Sequence, residues 1–170
     1  MARTTRIFLA GFMGTGKSTL GRMLANALSY SFLDTDQEIE RAAGMSIPEI
    51  FQQHGEADFR TREAALIGEL QHRSKIVVST GGGMVVNPSN RAAIKAQGVC
   101  VALSATPATL AKRLGPDAAE RRPMLRGGDL QTRIAQLLAE RSSAYRDLHY
   151  LVDTSEDSPE ILTQRWRASR

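Results

Sequence analysis

Residues 11–18 read GFMGTGKS and match the pattern G-x-x-x-x-G-K-[ST]. Glycines at these positions let the backbone curl, so that successive N–H groups point at one anion. Lys17 adds a cation that reaches terminal phosphates, and Ser18 offers a hydroxyl to Mg²⁺. The motif therefore predicts a phosphate-binding loop.

The residues on either side supply the strand and helix that such a loop requires. The apolar run at 7–10 is typical of a buried parallel strand. After the loop, apolar residues recur at the spacing of a helix (Leu20, Met23, Leu24, Ala27 and Leu28). The dinucleotide fingerprint is not met, because Thr19 stands where it requires Gly or Ala.

Composition and charge narrow the class of protein. The chain has 170 residues, 42% of them hydrophobic, which suits one globular domain. There is no run long enough to span a membrane, no signal-peptide pattern, and one cysteine, Cys100, so we expect a cytoplasmic protein without a membrane partner. The net charge of +4 is spread along a chain with only 5% aromatic residues, which argues against nucleic-acid binding. Without an exposed apolar stripe or heptad pattern, we expect a monomer.

Strand and helix patterns alternate along the chain, which predicts an α/β fold with a five-stranded parallel sheet flanked by helices in three layers. The expected strands, each short and apolar as in a sheet covered on both faces, lie near residues 7–12, 32–36, 76–80, 99–103 and 150–153. Ser46 with Glu49 fits a capping box, and Thr106 followed by Pro107 fits a helix start.

Two stretches interrupt this alternation within a single domain that spans residues 1–170. Residues of about 36–74 insert helical segments between the second and third strands, a suitable place for a substrate-binding insertion. Residues of about 115–129 are rich in Gly, Pro and Arg with little apolar content. We expect the second stretch to be a mobile surface loop that acts as a lid.

Two carboxylates, Asp34 and Asp36, are expected at the end of the second strand. Residues two apart on a strand share a face, and ligands bind at the carboxyl ends of parallel strands. One carboxylate would organise Mg²⁺ through water, and the other would accept a proton from a hydroxyl. The alternative is a helix cap beside a solvated acid.

Several arginines and a glycine run are further candidates for the site. Arg60 and Glu63 are spaced to pair on a helix, either as a surface ion pair or as a braced guanidinium that binds a carboxylate. The segment 80–83 reads TGGG after the third strand, which exposes backbone N–H groups to a ligand. Two further candidates are a lid arginine, Arg121 or Arg122, and Arg141 on a long helix. They either stabilise the charge of a transferred phosphoryl group or are solvent-exposed side chains that keep the surface soluble.

Taken in order, these segments resemble the shikimate kinase family across nearly the whole chain. The resemblance rests on GFMGTGKST, FLDTD, IPEIFQQHGEADFRTRE, VVSTGGG, RRPML and ERSSAYR. It implies transfer of the ATP γ-phosphate to the 3-hydroxyl of shikimate, with Mg²⁺ as cofactor.

The resemblance also implies individual roles. Those expected to contact the nucleotide are Gly14, Thr15, Gly16, Lys17, Ser18, Thr19, Arg113, Arg122 and Pro159. Those expected to bind shikimate are Asp36, Arg60, Gly82 and Arg141, with Glu63 bracing Arg60. Lys17, Asp36 and Arg122 are expected to be catalytic, and Ser18 and, through water, Asp34 to hold the metal.

Three other functions remain open at this point. A kinase for another polyol or sugar acid, such as gluconate, shares the phosphate loop but not the FRTRE segment or the glycine run. A second alternative is a nucleotide-binding regulator that has lost catalysis. The candidate catalytic groups argue against it, because they would be the first to be lost, and all are intact (Lys17, Ser18, Asp36 and Arg122). A nucleic-acid-dependent ATPase lacks a concentrated basic stripe.

Overall fold

The computed structural model describes residues 5–157 and 159–168. Its strands are β1 (Arg6–Gly11), β2 (Ser31–Asp34), β3 (Ile76–Ser79), β4 (Val99–Ser104) and β5 (Tyr150–Asp153). They form one parallel sheet in the order β2-β3-β1-β4-β5. The carboxyl ends of all five strands therefore lie along one edge, where open α/β sheets bind their ligands. The prediction of a five-stranded parallel sheet is confirmed.

The helices alternate with the strands as the sequence predicts. They are α1 (Lys17–Leu28), α2 (Thr35–Ala43), α3 (Ile47–Leu70), α4 (Pro88–Gln97), α5 (Pro107–Leu114), α6 (Ala118–Arg121), α7 (Leu130–Arg146) and α8 (Pro159–Ala168). Short 3₁₀ turns occupy Met84–Val86 and Pro123–Leu125. No helix in the described ranges is both long and apolar enough to cross a membrane.

Helices cover both faces of the central strands, so the molecule has three layers, with the sheet between two layers of helices. Alternate residues of β1, represented by Phe8 and Ala10, pack with α3, and Ile7 and Leu9 pack with α1 on the opposite face. Strand β5 departs from this pattern, since Leu151 is 54% exposed. The expectation that every strand is covered on both faces is wrong for β5, because it lies at the edge of the sheet with β4 as its one neighbour.

The insertion between β2 and β3 consists of α2 and α3. Ser46 and Glu49 form the predicted capping box at the start of α3, with the Ser46 N–H donating to Glu49 Oε2 at 2.7 Å. Gly55 breaks α3 into two helical pieces with φ 84° and ψ 168°, a conformation that glycine adopts without strain. The insertion is therefore kinked at Gly55 instead of running as one straight helix.

The stretch at 115–129 is less loop-like than expected. It contains α6 and the 3₁₀ turn, and Ala118 and Leu125 are fully buried in a cluster with Phe12, Leu110 and Ile134. Part of the stretch is therefore buried and not on the surface, because Leu125 packs into this cluster. The side chains of Arg121 and Pro123 lie outside the part that the structure describes.

Candidate active site

The phosphate loop joins β1 to α1 in the conformation that its glycines permit. Gly14 and Gly16 have φ of 81° and 93°, values that favour glycine. Thr15 is buried, and its hydroxyl donates to the Phe12 carbonyl at 2.7 Å, which closes the loop on itself. Helix α1 begins at Lys17, so its positive end faces the space inside the loop.

Lys17 lies across its own loop. Its Nζ donates to the carbonyls of Gly11 and Phe12 at 2.9 and 3.0 Å. Burial lowers the pKa of Lys17 to about 8, and the negative charges of Asp36 and Asp34 oppose that shift. The ammonium therefore keeps most of its charge at neutral pH.

Asp34 links the metal candidates and corrects one expectation. Its Oδ2 accepts a hydrogen bond of 3.0 Å from the Ser18 hydroxyl, so the two predicted metal residues lie together. Its Oδ1 accepts the N–H groups of Asp36 and Gln37, which caps α2. Asp36 is predicted from the sequence to lie at the end of the second strand. It lies instead in the first turn of α2, because the cap ends the strand at Asp34.

Asp36 faces the phosphate loop from the insertion side. Burial raises the pKa of its carboxyl to about 6, the charges of Asp34 and Glu63 add to the shift, and Lys17 opposes it. A carboxylate with this pKa is mostly ionised at neutral pH and still basic enough to accept a proton. The side chain thus has the proton affinity that a general base requires.

The glycine run is shaped by three charged side chains, one for each glycine. A Cβ on Gly81 would collide with Asp36 Oδ1, a Cβ on Gly83 would lie 3.0 Å from Arg60, and one on Gly82 would lie 3.4 Å from Arg141. The turn is therefore a fitted surface and not merely a flexible connection. It brings together Asp36, Arg60, Arg141 and Gly82, all of which the sequence proposes for one substrate.

Arg60 is held by two carboxylates of α3. Its NH1 donates to Glu63 at 2.8 Å and its NH2 to Glu56 at 3.0 Å. Glu63 is 1% exposed, whereas Glu56 is 65% exposed. Burial raises the pKa of Glu63, and the charge of Arg60 opposes that shift. Burial acts to lower the pKa of Arg60, but the two glutamates outweigh burial, so the pKa of Arg60 is raised. Of the two readings of this pair, the braced guanidinium fits the geometry.

Arg141 approaches the glycine run from α7. Its NH1 donates to the Gly82 carbonyl at 3.3 Å, and its guanidinium lies 5.6 Å from the centre of the Phe12 ring. Tyr145, one helical turn later, donates its hydroxyl to the same carbonyl at 3.2 Å. Both α3 and α7 therefore contribute a guanidinium to the turn.

A separate cavity of about 330 Å³ adjoins the phosphate loop. Its lining includes the predicted nucleotide residues Gly14, Thr15, Gly16, Thr19, Arg113 and Pro159. Arg113 donates to the Gly14 carbonyl at 3.2 Å and to both the hydroxyl and the carbonyl of Thr154. The guanidinium is thereby fixed at the wall that joins the loop to α8.

The lid arginines have different surroundings. Arg122 is exposed, yet its charge helps to lower the pKa of Lys17, so it lies close enough to the phosphate loop to act on that lysine. Arg126 donates instead to the carbonyls of Ala119 and Glu120 and stabilises the lid itself. Arg121, the other candidate, has a side chain outside the described part of the chain.

Three buried hydroxyls at the site escaped the sequence reasoning: Thr35, Tyr145 and Thr154. Thr35 accepts the N–H of Gly81, and Thr154 donates to the carbonyl of Thr15. Each partner lies 46 or more positions away along the chain. The sequence contains one signal for them, namely that Thr35 lies between the two candidate aspartates Asp34 and Asp36.

Comparison with known proteins agrees with this geometry. The family model described as shikimate kinase matches residues 13–168. A shikimate kinase of Halorhodospira halophila is 49% identical over 144 residues, which cover 85% of this chain and 80% of that protein. A shikimate kinase of Pelotomaculum thermopropionicum is 43% identical over 152 residues, covering 89% of this chain and 87% of that protein.

Solved structures give the same result. The structure described as shikimate kinase from Acinetobacter baumannii in complex with shikimate has a TM-score of 0.88 and 37% identity to this chain. The superposition covers 98% of this chain and 93% of that one. The similarity therefore includes the insertion and the lid as well as the sheet.

Proposed function

This chain belongs to the shikimate kinase family, and on that premise we propose that it transfers the γ-phosphoryl group of ATP to the 3-hydroxyl of shikimate, giving shikimate 3-phosphate and ADP. The observation that carries the proposal is the convergence of Asp36, Arg60 and Arg141 on the glycine run beside the phosphate loop. These three side chains supply what a hydroxylated acid requires, a carboxylate next to the hydroxyls and two guanidinium groups.

The acceptor binds at the glycine run. Arg60 and Arg141 hold the carboxylate of shikimate from two sides, since a guanidinium offers paired donors to a carboxylate. Glu63 keeps Arg60 in place, and the Gly82 N–H donates to the substrate. Asp36 then contacts the ring hydroxyls at the end nearer the phosphate loop.

The nucleotide binds on the other side of the loop. Its phosphates lie in the curl formed by Gly14, Thr15 and Gly16, with Lys17, Ser18 and Thr19 at the start of α1. The cavity beside the loop is of suitable size for the base, which Arg113 and Pro159 flank. ATP and shikimate thus meet above the carboxyl ends of the strands.

The donor set also suits magnesium. Ser18 and Asp34 place a hydroxyl and a carboxylate 3.0 Å apart at the mouth of the loop, and Mg²⁺ takes few protein oxygens beside phosphate and water. When bound, the ion neutralises the phosphate charge that builds up during transfer. Ser18 would be its direct ligand, and Asp34 would hold it through an ordered water.

The chemical step uses the charges already assembled. Asp36 accepts the proton of the 3-hydroxyl while that oxygen forms its bond to the γ-phosphorus, and the bond from the phosphorus to the β–γ bridging oxygen breaks. Lys17 leaves its loop carbonyls for the transferred group, and Arg122 approaches with the lid to stabilise the same charge. Catalysis therefore depends mainly on positioning and electrostatics.

The remaining assignments concern the whole molecule. We expect residues 1–170 to act as a single domain, in which the substrate docks under the insertion at about 36–74 and the lid at about 115–129 then closes over ATP. We also expect a cytoplasmic monomer that works on a small molecule and uses neither nucleic acid nor membrane.

The proposed function is tested by coupled ADP release with Mg-ATP. Shikimate, gluconate and no acceptor are compared at equal concentration, and the product is identified by phosphorus NMR as the 3-phosphate. Turnover that requires shikimate is the expected result. Turnover with gluconate alone would remove the acceptor-site assignments, and nucleotide binding without any acceptor-dependent release would favour a regulator.

A further inference from the structure

The glycine run, defined as Gly81 to Gly83, is the point at which the acceptor side chains meet, but it has no side chains with which to hold itself. A segment of three glycines loses more conformational freedom on ordering than any other tripeptide. Some other part of the molecule must therefore fix its position. The structure shows which groups do so, one peptide unit at a time.

The first contact comes from the insertion. The Gly81 N–H donates to Thr35 Oγ1 at 2.8 Å, and Thr35 is fully buried. Thr35 stands between Asp34, the cap of α2, and Asp36, the base candidate. One hydroxyl thus ties the start of α2 to the start of the glycine run and sets the distance between Asp36 and the turn.

The second contact comes from α7. The carbonyl of Gly82 accepts the Tyr145 hydroxyl at 3.2 Å and Arg141 NH1 at 3.3 Å. Tyr145 is buried, with 6% of its surface exposed, so its hydroxyl donates to this carbonyl and not to water. Between the two contacts, the Gly81 carbonyl accepts the Met84 N–H at 3.1 Å.

These contacts leave two N–H groups of the run, those of Gly82 and Gly83, without an acceptor among the described residues, and the first of them lies between the two clamped peptide units. In a trans peptide the N–H points away from the carbonyl of the preceding residue, and that Gly81 carbonyl is already held by Met84. The direction of the Gly82 N–H is therefore imposed by its neighbours.

We propose that Thr35 and Tyr145 are positioning residues for the transfer reaction. Their hydroxyls clamp the glycine run from α2 and from α7, and so fix the Gly82 N–H relative to Asp36, Arg60 and Arg141. The proposal rests on the proposed function, since an oriented Gly82 N–H matters only if the acceptor binds there. Neither hydroxyl touches the reacting atoms, so both act through the backbone.

A purely structural role for these hydroxyls makes a different prediction. Loss of a buried hydrogen bond that only stabilises the fold lowers the melting temperature and leaves the kinetic constants of the folded enzyme unchanged. A clamp on the acceptor site instead changes KM for shikimate and kcat, while KM for ATP stays the same. A change in KM for shikimate or in kcat, with KM for ATP unchanged, therefore separates the two roles.

The test compares isosteric variants. Thr35→Val removes the acceptor of the Gly81 N–H, Thr35→Ser restores it, and Tyr145→Phe removes the second hydroxyl. Thr163→Val is the matched control for a buried threonine, since its hydroxyl bonds the Pro159 carbonyl in α8. Tyr150→Phe is the control for tyrosine, since Tyr150 is 58% exposed.

We expect Thr35→Val to raise KM for shikimate or lower kcat by about tenfold or more, because small displacements of positioning groups are costly. Tyr145→Phe should have a smaller effect of about threefold to tenfold, since Arg141 still holds the carbonyl. Thr35→Ser and both controls should stay within about twofold of wild type, and KM for ATP should be unchanged throughout.

The outcomes distinguish the two proposals. If the wild type shows no shikimate-dependent turnover, the proposed function and the clamp fall together. If the wild type is active and Thr35→Val matches it in both constants, the clamp alone is overturned. If Thr35→Val does not fold, Tyr145→Phe and Thr35→Ser decide: wild-type constants for Tyr145→Phe would overturn the clamp, and a selective change would support it.

Discussion

Asp36 Oδ1 occupies the space that a side chain at residue 81 would fill, so the base candidate and the glycine run fit together only because residue 81 is glycine. Gly81 also donates its N–H to the hydroxyl of Thr35, the neighbour of Asp36. Helix α2 and the glycine run are therefore in contact through both backbone and side chain.

This contact predicts a large effect of Gly81→Ala. The added methyl must displace either Asp36 or the turn, so kcat should fall by about 100-fold with ATP affinity unchanged. The control is Gly68→Ala, at an exposed position of α3 where an added Cβ meets nothing within 4 Å. The control should keep full activity and gain about 0.5–1 kcal/mol of stability. Equal activity of the two variants would contradict the fitted contact.

The two shifted pKa values predict a pH profile. Asp36 accepts a proton only when ionised, so kcat/KM should fall below its pKa of about 6. Lys17 loses its charge above its pKa of about 8, so kcat/KM for ATP should fall again there. Phosphates stabilise the ammonium, so the alkaline limb should move to higher pH in kcat at saturating ATP. A flat profile between pH 5 and 9 would refute both assignments.

The same shift predicts that Asp36→Asn stabilises the protein while it lowers activity. The folded pKa is raised above the ordinary value, so the ionised carboxylate weakens the fold as pH rises through about 6. At pH 7 the substitution should increase the free energy of unfolding by about 1–3 kcal/mol. The gain should shrink as pH falls from 7 to 4, because the native carboxyl is then protonated. Urea unfolding at both pH values measures this, and a constant or negative difference would count against it.

The two partners of Arg60 provide a matched pair of variants. Glu63→Gln removes the charge of the buried partner, and Glu56→Gln removes that of the exposed one at almost the same distance. Because exposed ion pairs contribute little, Glu56→Gln should change KM for shikimate by less than about twofold. Glu63→Gln should raise it by about tenfold, since Arg60 loses its fixed orientation. Steady-state kinetics and calorimetric shikimate binding decide; equal effects would mean that burial of Glu63 has no part in positioning.

The five strands, the start of α3 and the phosphate loop were predictable, apart from the end of β2, because each is encoded within a few neighbouring residues. The apolar run before Gly11 predicts β1, and Ser46 with Glu49 predicts the start of α3; both are confirmed. Local patterns misled where two signals overlap. Asp34 reads equally as the end of a strand and as a helix cap, and the cap places Asp36 in α2.

The phosphate loop and the parallel sheet follow from local patterns, because motif spacing and hydrophobic period depend on residues close together in the chain. The family follows from the order of such motifs along nearly the whole chain. The folded molecule alone reveals that Thr35 holds Gly81 across 46 positions and that Tyr145 holds Gly82 across 63. Only it showed that Leu125 anchors the lid and that β5 lies exposed at the edge. Such contacts follow from strand order and packing, to which residues far apart contribute together, so no local pattern contains them.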